Sequence, residues 1–313
     1  MKKIVLASDL GGTNLRMAAV ADDGEILSRV KYGTPQSENP HNIIEAIVKA
    51  AEECRAKLKD YEVAAIAAAV PGTINCEKGL INKSPNLPAL DGFEMVAALE
   101  DNLNMKAVLE NDANAAAVGE SWMGVSKDFD NSIMITLGTG VGGGIIIDGK
   151  ILRGIDGTAG EIGHINVEPK GYPCGCGSFG CVEQYASATA IVRIAKEIMT
   201  EKPFSQIEEF EDFTSEDIYE IAKNGSGLAK EVFRQQGFYL GIMLAGLINT
   251  LNPQAIVIGG GASAGWDLFV EPLREQIKIR SYNEPATRAK LMQAKLGDDA
   301  GILGVAKLGF ENI

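Results

Sequence analysis

The sequence predicts an α/β protein built from two related α/β domains. Short apolar runs alternate with longer segments whose apolar residues recur at helical spacing. Several apolar runs end in glycine-rich turns. The order strand, glycine turn, strand, Asp-Gly turn, strand occurs twice, as expected of a duplicated unit. The chain has 313 residues, which is enough for about two domains at roughly 100–200 residues each.

The first half of the chain begins with three predicted strands. IVLAS, LRMAAVA and EILSRVKY are separated by the turns DLGGTN and ADDGE. HNIIEAIVKAAEECRAKL then carries apolar residues at helical spacing. VAAIAAAV is a strand of small residues that ends at Pro71-Gly72, KAVLEND is a further strand, and ANAAAVGESW begins a helix. These elements predict a small α/β domain over residues 1–120.

The second half repeats the pattern. NSIMITLG is a strand, GTGVGG a glycine turn, and GIIIDGKIL a strand with a DG turn and the start of another strand. The stretch from 186 to 250 is predicted to be mainly helical, and PQAIVIGGGAS is a strand that ends in a third glycine turn. The sequence thus predicts a larger domain over residues 121–297, with a last helix over about 298–313 that packs back on the first domain.

Composition excludes several classes of function. The formal net charge is −13, and an acidic surface repels phosphate backbones, so we expect no nucleic-acid partner. No apolar run reaches the roughly 18 residues needed to span a bilayer, so we expect no membrane partner. The apolar run near the N-terminus stops at Asp9 and is too short for a signal peptide. The expected compartment is the cytoplasm, where thiols stay reduced.

The stretch CGCGSFGC, residues 174–181, holds three of the five cysteines. An odd number of cysteines in a reducing compartment argues against a disulfide framework. Cys174, Cys176 and Cys181 together with His164 would complete a tetrahedral zinc shell with no open position, so the ion would be structural. The competing interpretation is three free thiols and a histidine that packs without a metal.

The glycine turns suggest phosphate binding, because backbone N–H groups can approach a phosphate where no side chain blocks them. DLGGTN lacks the lysine of a Walker loop. GTGVGGG contains G-x-G-x-x-G, but a hairpin strand follows it where a dinucleotide-binding unit has a helix. Taken singly, each turn is weak evidence, because glycine after a strand is usually explained by ordinary turn chemistry.

Together these segments resemble the ROK family of sugar kinases and sugar-responsive repressors. DLGGTN resembles the family's first phosphate loop, TLGTGVGGG the second, and IGGGAS the adenosine segment. GTAGEIGHINVEP and CGCGSFGCVEQYAS resemble the family signature with its zinc site. ENDANAAAVGE resembles the segment with the catalytic aspartate, and PNLP, residues 85–88, a substrate loop. Within the family the likeness is greatest to glucokinases.

The resemblance implies an actin-like ATPase (ribonuclease H-like) fold, two α/β domains with a cleft between them, and phosphorylation of glucose at the 6-hydroxyl by ATP. Asp112 would be the general base, although an Asp at a strand-to-helix junction is also a common helix N-cap. The substrate-binding residues would be Gly72, Asn86, Asn111, Asp112, Glu161, His164 and Glu183. The nucleotide and its Mg²⁺ would be held by Asp9, Gly11, Gly12, Thr13, Asn14, Gly138, Thr139, Gly140, Gly259 and Gly260. Structural Zn²⁺ would be bound by His164, Cys174, Cys176 and Cys181.

Two departures from the family pattern bear on specificity. Asn14 stands where many relatives have Lys, and ALDGF follows PNLP where many glucokinases have a tryptophan. The alternatives are therefore a kinase for another hexose such as N-acetylmannosamine, fructose or allose, a donor other than ATP, or a sugar-sensing protein of the repressor type. The resemblance also implies a homodimer or homotetramer.

Overall fold

The computed structural model describes residues 2–56, 58–201 and 213–312. Strands and helices alternate along these ranges as predicted, and residues 202–212 of the segment expected to be helical lie outside them. The strands are β1 (Lys2–Leu10), β2 (Asn14–Ala21), β3 (Ile26–Gly33), β4 (Tyr61–Val70), β5 (Thr73–Asn75), β6 (Leu80–Lys83), β7 (Ala107–Asn111), β8 (Ser132–Leu137), β9 (Val141–Ile147), β10 (Lys150–Ile151), β11 (Ala255–Gly259) and β12 (Lys290–Gln293). The helices are α1 (Pro40–Ala56), α2 (Met95–Leu103), α3 (Asp112–Trp122), α4 (Glu183–Ala186), α5 (Ala188–Glu201), α6 (Ser215–Lys223), α7 (Gly227–Leu251), α8 (Trp266–Arg280), α9 (Asn283–Arg288) and α10 (Asp299–Glu311).

The first sheet has the strand order β3-β2-β1-β4-β7. β1 pairs antiparallel with β2, so that Asp9 lies opposite Arg16, and β4 joins β1 and β7 in parallel. The glycine turn DLGGTN connects β1 to β2 at the same edge of the sheet at which β4 and β7 end. This topology gathers the ends of three strands, and hence Asp9, Gly72 and Asn111, at one edge.

The second five-stranded sheet has the order β10-β9-β8-β11-β12. Numbered by their sequence within each sheet, the strands of both sheets follow the order 3-2-1-4-5. The Asp148-Gly149 turn between β9 and β10 has φ angles of 50° and 74°, which Asp and Gly tolerate better than most residues. The repeat seen in the sequence therefore corresponds to a repeated sheet topology.

The two faces of the first sheet differ in side-chain size. One face packs against α1 and α2 through large apolar side chains, including Ile4, Leu6, Ile43 and Ile47. The other face carries small residues and packs against α10. The face covered by α10 is formed by Val5, Ala7, Ala18, Val20, Ala67 and Ala69.

The chain divides into two compact units, each held together by contacts between its own segments. Unit 1 contains residues 1–134, 144–160 and 295–313, and unit 2 contains residues 135–143 and 161–294. The boundary predicted near residue 120 differs from this division, because α3 packs on α10 and the β9-β10 hairpin returns to α3. The chain enters unit 1 three times, which a composition-based boundary does not reveal.

All five cysteines lie among the described residues, and none is in a disulfide. Within the described ranges, no helix is both long enough and apolar enough to cross a membrane.

Candidate active site

Asp112 is the first residue of α3, directly after β7. Asn111 is the N-cap, and its Oδ1 accepts hydrogen bonds from the backbone N–H groups of Ala113 (2.9 Å) and Asn114 (3.0 Å). The competing interpretation of Asp112 as the N-cap is therefore not what the structure has. The half-buried Asp112 carboxylate accepts on Oδ1 from Ala113 N–H at 2.9 Å and from Asn111 Nδ2 at 3.1 Å, and these two hydrogen bonds fix its orientation beside the helix start.

Gly72 and Asn111 are in direct contact. Asn111 Nδ2 donates to the Gly72 carbonyl at 2.9 Å. Gly72 has a φ of +127°, and a Cβ at this position would lie 2.1 Å from the Lys83 carbonyl oxygen, so only glycine fits. Three of the predicted sugar-site residues, Gly72, Asn111 and Asp112, thus lie together in unit 1.

The DLGGTN turn is held by backbone hydrogen bonds and by side chains that follow β3. Gly11 N–H donates to the Asn14 carbonyl (2.8 Å), and Thr34 Oγ1 donates to the Gly11 carbonyl (2.7 Å). The exposed Asn86 of the PNLP loop packs on this turn, because a Cβ on Gly12 would lie 3.4 Å from the Asn86 Cβ. The turn and the loop predicted to bind nucleotide and sugar are therefore neighbours.

Asp9 lies at the end of β1 and is ion-paired. Arg16 Nη1 donates to Asp9 Oδ2 at 3.1 Å, and Arg16 Nη2 contacts Asp298 Oδ2 at 2.8 Å. Burial raises the pKa of the Asp9 carboxyl above its ordinary value, while the hydrogen bond and charge of Arg16 lower it. The carboxylate predicted to serve Mg²⁺ thus shares one oxygen with an arginine.

The second glycine turn, residues 138–140, is anchored on elements of unit 2. Ala188 N–H donates to the Gly138 carbonyl (2.8 Å) and Thr189 Oγ1 to the Thr139 carbonyl (2.9 Å). A cavity of about 680 Å³ begins at this turn. Its lining includes Lys196 and an ion pair between Arg193 and Glu197 at 2.8 Å. The members are Thr139, Ala188, Thr189, Val192, Arg193, Lys196, Glu197, Phe213, Thr214 and Ser215.

Gly259 and Gly260 end β11 beside the same turn. Gly260 has a φ of +85°, and a Cβ there would lie 2.4 Å from the Leu137 carbonyl oxygen. The close approach places the IGGGAS turn against the end of β8, immediately before Gly138. Two of the three glycine turns therefore come together in unit 2, and the first lies in unit 1.

His164, Cys174, Cys176 and Cys181 form a cluster whose possible ligand atoms all lie within 4.8 Å of one another. Cys176 Sγ lies 3.7 Å from Cys181 Sγ, and Cys174 Sγ lies 3.6 Å from His164 Nδ1. Zn–S bonds of about 2.3 Å in a tetrahedron separate the sulfur atoms by roughly 3.8 Å. The four side chains fit a zinc ion, with Nδ1 as the histidine ligand.

The cysteine loop is shaped by its own backbone. Cys174 N–H donates to the Ser178 carbonyl (2.8 Å), and Gly177 N–H donates to the Cys174 carbonyl (3.0 Å). Gly177 has a φ of +90°, a conformation that glycine adopts readily. A tight turn thus brings Cys174 and Cys176 to the same point, and an isolated bridge between Asn166 and Cys181 brings in the third cysteine.

Two carboxylates lie next to this cluster. Glu161 Oε2 is 4.0 Å from His164 Nε2. Burial raises the pKa of Glu161, His164 opposes this shift and Glu183 adds to it. Glu183 Oε1 is 3.9 Å from Cys174 Sγ, while Glu183 Oε2 accepts from Val141 N–H at 3.1 Å. Glu183 thereby contacts both the cysteine loop and the end of the second glycine turn, a link that the sequence did not suggest.

Two further features were missed by sequence reasoning. Glu110, one residue before Asn111, is a buried carboxylate that pairs with Arg153. Arg193 and Lys196 line the cavity beside Thr139. Glu110 could have been noticed in the sequence as a charged residue within an apolar strand. Arg193 and Lys196 could have been noticed as two basic residues three positions apart on one predicted helix.

The fold and the turns define a class of protein, that of the actin-like ATPases, in which two sheets of the same topology carry glycine turns at their strand ends. The chain belongs to the ROK family, whose model matches residues 5–311.

The relatives of this chain include glucokinases and a transcriptional regulator. A glucokinase of Halalkalibacterium halodurans is 38% identical and is aligned over 95% of this chain and 92% of its own length. The crystal structure of a ROK family glucokinase from Streptomyces griseus, in complex with glucose and AMPPNP, is 34% identical with a TM-score of 0.83, over 98% of this chain and 99% of that one. A ROK family transcriptional regulator homologous to the E. coli MLC protein is 28% identical with a TM-score of 0.90, over 99% of this chain and 78% of that one.

Proposed function

We propose that this protein is a glucokinase that transfers the γ-phosphoryl group of ATP to the 6-hydroxyl of glucose. The observation that carries the proposal is the geometry at the end of β7, where Asn111 caps α3 and leaves the Asp112 carboxylate oriented beside Gly72. The similarity to glucokinases over nearly the whole chain supports the choice of sugar and donor.

Asp112 acts as the general base. Its carboxylate accepts the proton of the 6-hydroxyl as that oxygen forms a bond to the γ-phosphorus, and the bond from phosphorus to the bridging oxygen breaks to release ADP. A half-buried carboxylate that is held by a neighbouring amide is suited to this role, since its direction is fixed before the sugar arrives.

Sugar hydroxyls need hydrogen-bonding partners. Gly72, Asn86 and Asn111 are proposed as such partners, although the Asn111 side chain also caps α3 and donates to Gly72. Glu161, His164 and Glu183 are proposed as further partners, since carboxylate oxygens accept from sugar hydroxyls and fix the ring's orientation. His164 Nε2 faces Glu161, and the opposite ring nitrogen lies toward Cys174.

The glycine turns are proposed to bind the nucleotide through backbone groups. The residues are Gly11, Gly12, Thr13 and Asn14 of the first turn, Gly138–Gly140 of the second, and Gly259-Gly260 of the third. The cavity beside Thr139 takes part of the nucleotide. Lys196 supplies positive charge there, whereas Arg193 is paired with Glu197 in the same lining.

Two metal ions belong to the proposal. Zn²⁺ on His164 and the three cysteines would tie together the segments that carry Glu161, His164 and Glu183. Mg²⁺ would neutralise phosphate charge during transfer. Asp9 fits it through water, since Mg²⁺ keeps several of its waters and uses few carboxylates.

Coupled ADP release with ATP and Mg²⁺ tests the proposal against glucose, N-acetylmannosamine, fructose, mannose and allose. We expect the glucose rate to exceed the others by a wide margin. A preference for another hexose would replace glucose and leave the kinase chemistry intact. If ADP is released with none of the sugars, polyphosphate is tried as donor before the kinase is abandoned.

The second candidate is a sugar sensor without catalysis. The likeness to a ROK transcriptional regulator favours it, because the fold alone does not separate the two activities. Glucose binding measured by calorimetry, with no turnover for any donor, would select the sensor.

As a kinase that uses ATP, the protein would act in the cytoplasm, and we propose a homodimer or homotetramer there.

A further inference from the structure

Glu110 is the residue of β7 that precedes Asn111, and its side chain is only 1% exposed. A carboxylate at such a position loses its hydration, so it needs partners that replace water. The structure supplies four. Oε1 accepts from Asn111 N–H (3.0 Å) and Asn114 Nδ2 (3.0 Å) and lies 3.6 Å from Cys76 Sγ, and Oε2 accepts from Arg153 Nε at 2.8 Å.

These partners belong to three separate segments of unit 1. Asn111 and Asn114 form the start of α3, on either side of Asp112. Cys76 follows β5, four residues after Gly72. Arg153 follows β10 and begins the loop 153–160, which leads to Glu161. Each segment carries or adjoins a residue of the proposed sugar and catalytic site.

The loop that begins at Arg153 is tightly fitted. Arg153 accepts on its carbonyl from Ala159 N–H at 3.1 Å. Gly157 has a φ of +88°, and a Cβ on it would lie 1.9 Å from the Ile74 carbonyl oxygen. The loop is therefore closed on Arg153 by a backbone hydrogen bond and packs directly against the strand that contains Ile74.

We propose that Glu110 and Arg153 form a positioning pair for the catalytic segment, a role that rests on the proposed function of Asp112. Glu110 fixes the backbone of Asn111 and the first turn of α3, so that the Asp112 carboxylate keeps its direction. Arg153 balances the charge of Glu110 and joins that segment to loop 153–160. Neither residue touches the reacting atoms in this role.

Glu110→Gln tests the pair with little change of shape. The glutamine oxygen can still accept from Asn111 and Asn114, but its NH₂ group cannot accept from Arg153. We expect kcat to fall roughly 10–100-fold, the scale of a small misplacement of a catalytic group, while KM for glucose and ATP changes by less than about threefold. Arg153→Gln should have the same signature.

The double variant Glu110→Gln with Arg153→Gln supplies a rescue. Two amides can donate and accept between themselves without an unpaired charge, so kcat should recover relative to either single variant. A double variant that is as slow as the product of the two single losses would argue against a pair.

Glu120→Gln is the matched control. Glu120 lies on α3 and, like Glu110 of β7, is a fully buried carboxylate. It accepts from the backbone N–H groups of Val125, Lys295 and Leu296, away from Asp112. We expect it to lower the melting temperature and leave kcat unchanged. Equal melting-temperature losses in both variants, with a kcat for Glu110→Gln within twofold of wild type, would reduce Glu110 to a structural role and overturn the proposal.

Hydrogen exchange separates this proposal from the proposed function. Faster exchange at residues 111–116 and 153–160 in Glu110→Gln, absent from Glu120→Gln, supports positioning even if the wild-type protein phosphorylates no sugar. Unchanged exchange in both ranges overturns it whether or not the protein is a kinase. If Glu110→Gln does not fold, Glu110→Asp replaces it in all assays. Aspartate keeps the negative charge, but its shorter side chain moves the carboxylate oxygens away from Arg153 and Asn114.

Discussion

Asn111 and Asp112, at the start of α3, have different roles: one caps the helix and the other presents a carboxylate. Asn and Asp are both good N-caps, yet the cap is Asn111, and the carboxylate comes one position later. Asn111 Oδ1 accepts from the N–H groups of Ala113 and Asn114, whereas Asp112 accepts on Oδ1 from Ala113 N–H and Asn111 Nδ2. The order Asn-Asp thus assigns the capping of α3 to the amide and places the stronger base one position later.

Asp112→Asn should lower kcat by at least ~10²-fold, because an amide cannot accept the proton from the sugar. Glucose binding measured by calorimetry should persist, since the side-chain shape is retained. Asp299→Asn is the control, as Asp299 is also the first residue of a helix in unit 1 and pairs with Arg29 at the surface. Turnover that survives in Asp112→Asn would remove Asp112 from the role of base.

Asp9→Asn should affect the stability of the protein and its kinase activity in different ways. Burial raises the pKa of Asp9 above 3.8 despite Arg16, so the folded state binds this proton more tightly than the unfolded chain does. The stability that Asp9 contributes is therefore highest at low pH and falls as pH rises from 3.8 through the raised pKa.

At pH 7 the uncharged Asn should give an equal or higher melting temperature than Asp, with a smaller gain at pH 5. Kinase activity should fall if Asp9 serves Mg²⁺. Thermal unfolding at both pH values, with ADP release measured in parallel, checks this. A clear loss of stability at pH 7 would mean that the pairing with Arg16 outweighs burial.

At the scale of elements, α3 and α10 approach closely because glycines lie in their contact. A Cβ on Gly304 would come within 1.7 Å of the Ala115 carbonyl oxygen, and one on Gly119 within 2.1 Å of the Ala300 carbonyl oxygen. Both clashes are with backbone atoms, which cannot rotate away. The spacing of the two helices therefore depends on the absence of these two side chains.

Gly304→Ala should destabilise the protein by about 1–3 kcal/mol, the usual cost of overpacking, or more if the helices cannot separate. Gly246→Ala is the matched control. Gly246 is exposed within α7 with nothing within 4 Å of a new Cβ, so alanine there should stabilise by roughly 0.5–1 kcal/mol through helix propensity. Urea unfolding of both variants measures the difference, and equal stabilities would show that α3 and α10 can shift apart.

The cysteine loop should contain about one zinc ion per chain. Metal analysis of purified protein should find it, and Cys181→Ser should lose it together with glucose binding. Cys76→Ser, which lies outside the cluster, should keep it. Active protein without zinc would refute the assignment.

The loops whose chemistry is local were predictable from the sequence. The cysteine turn, the Asp148-Gly149 hairpin and the glycine turns are each set by residues within a few positions of one another. Glu110 with Arg153, and Arg16 with Asp298, are separated by 43 and 282 positions. No periodicity or spacing relates such residues, so these pairs emerged only from the fold.

At the scale of the whole molecule, two sheets of the same strand order are accompanied by different side chains. Unit 1 contains Asp9, near the end of β1, and Asp112, directly after β7. Unit 2 contains the cysteine cluster and the cavity beside Thr139. The repeated topology places a glycine turn after the first strand of each sheet.

The return of the chain to unit 1 has a consequence for synthesis on the ribosome. About 130 residues of unit 2 are translated between Gly160 and Lys295, which takes roughly 7–30 s at 5–20 residues per second. Throughout that interval the face of the first sheet that packs against α10 is not yet covered. This face consists of alanine and valine, whereas the face that packs against α1, which is synthesised early, carries isoleucine and leucine. The face that stays uncovered for longest during synthesis is therefore the one with the smaller apolar side chains, and we expect it to associate less readily with other chains.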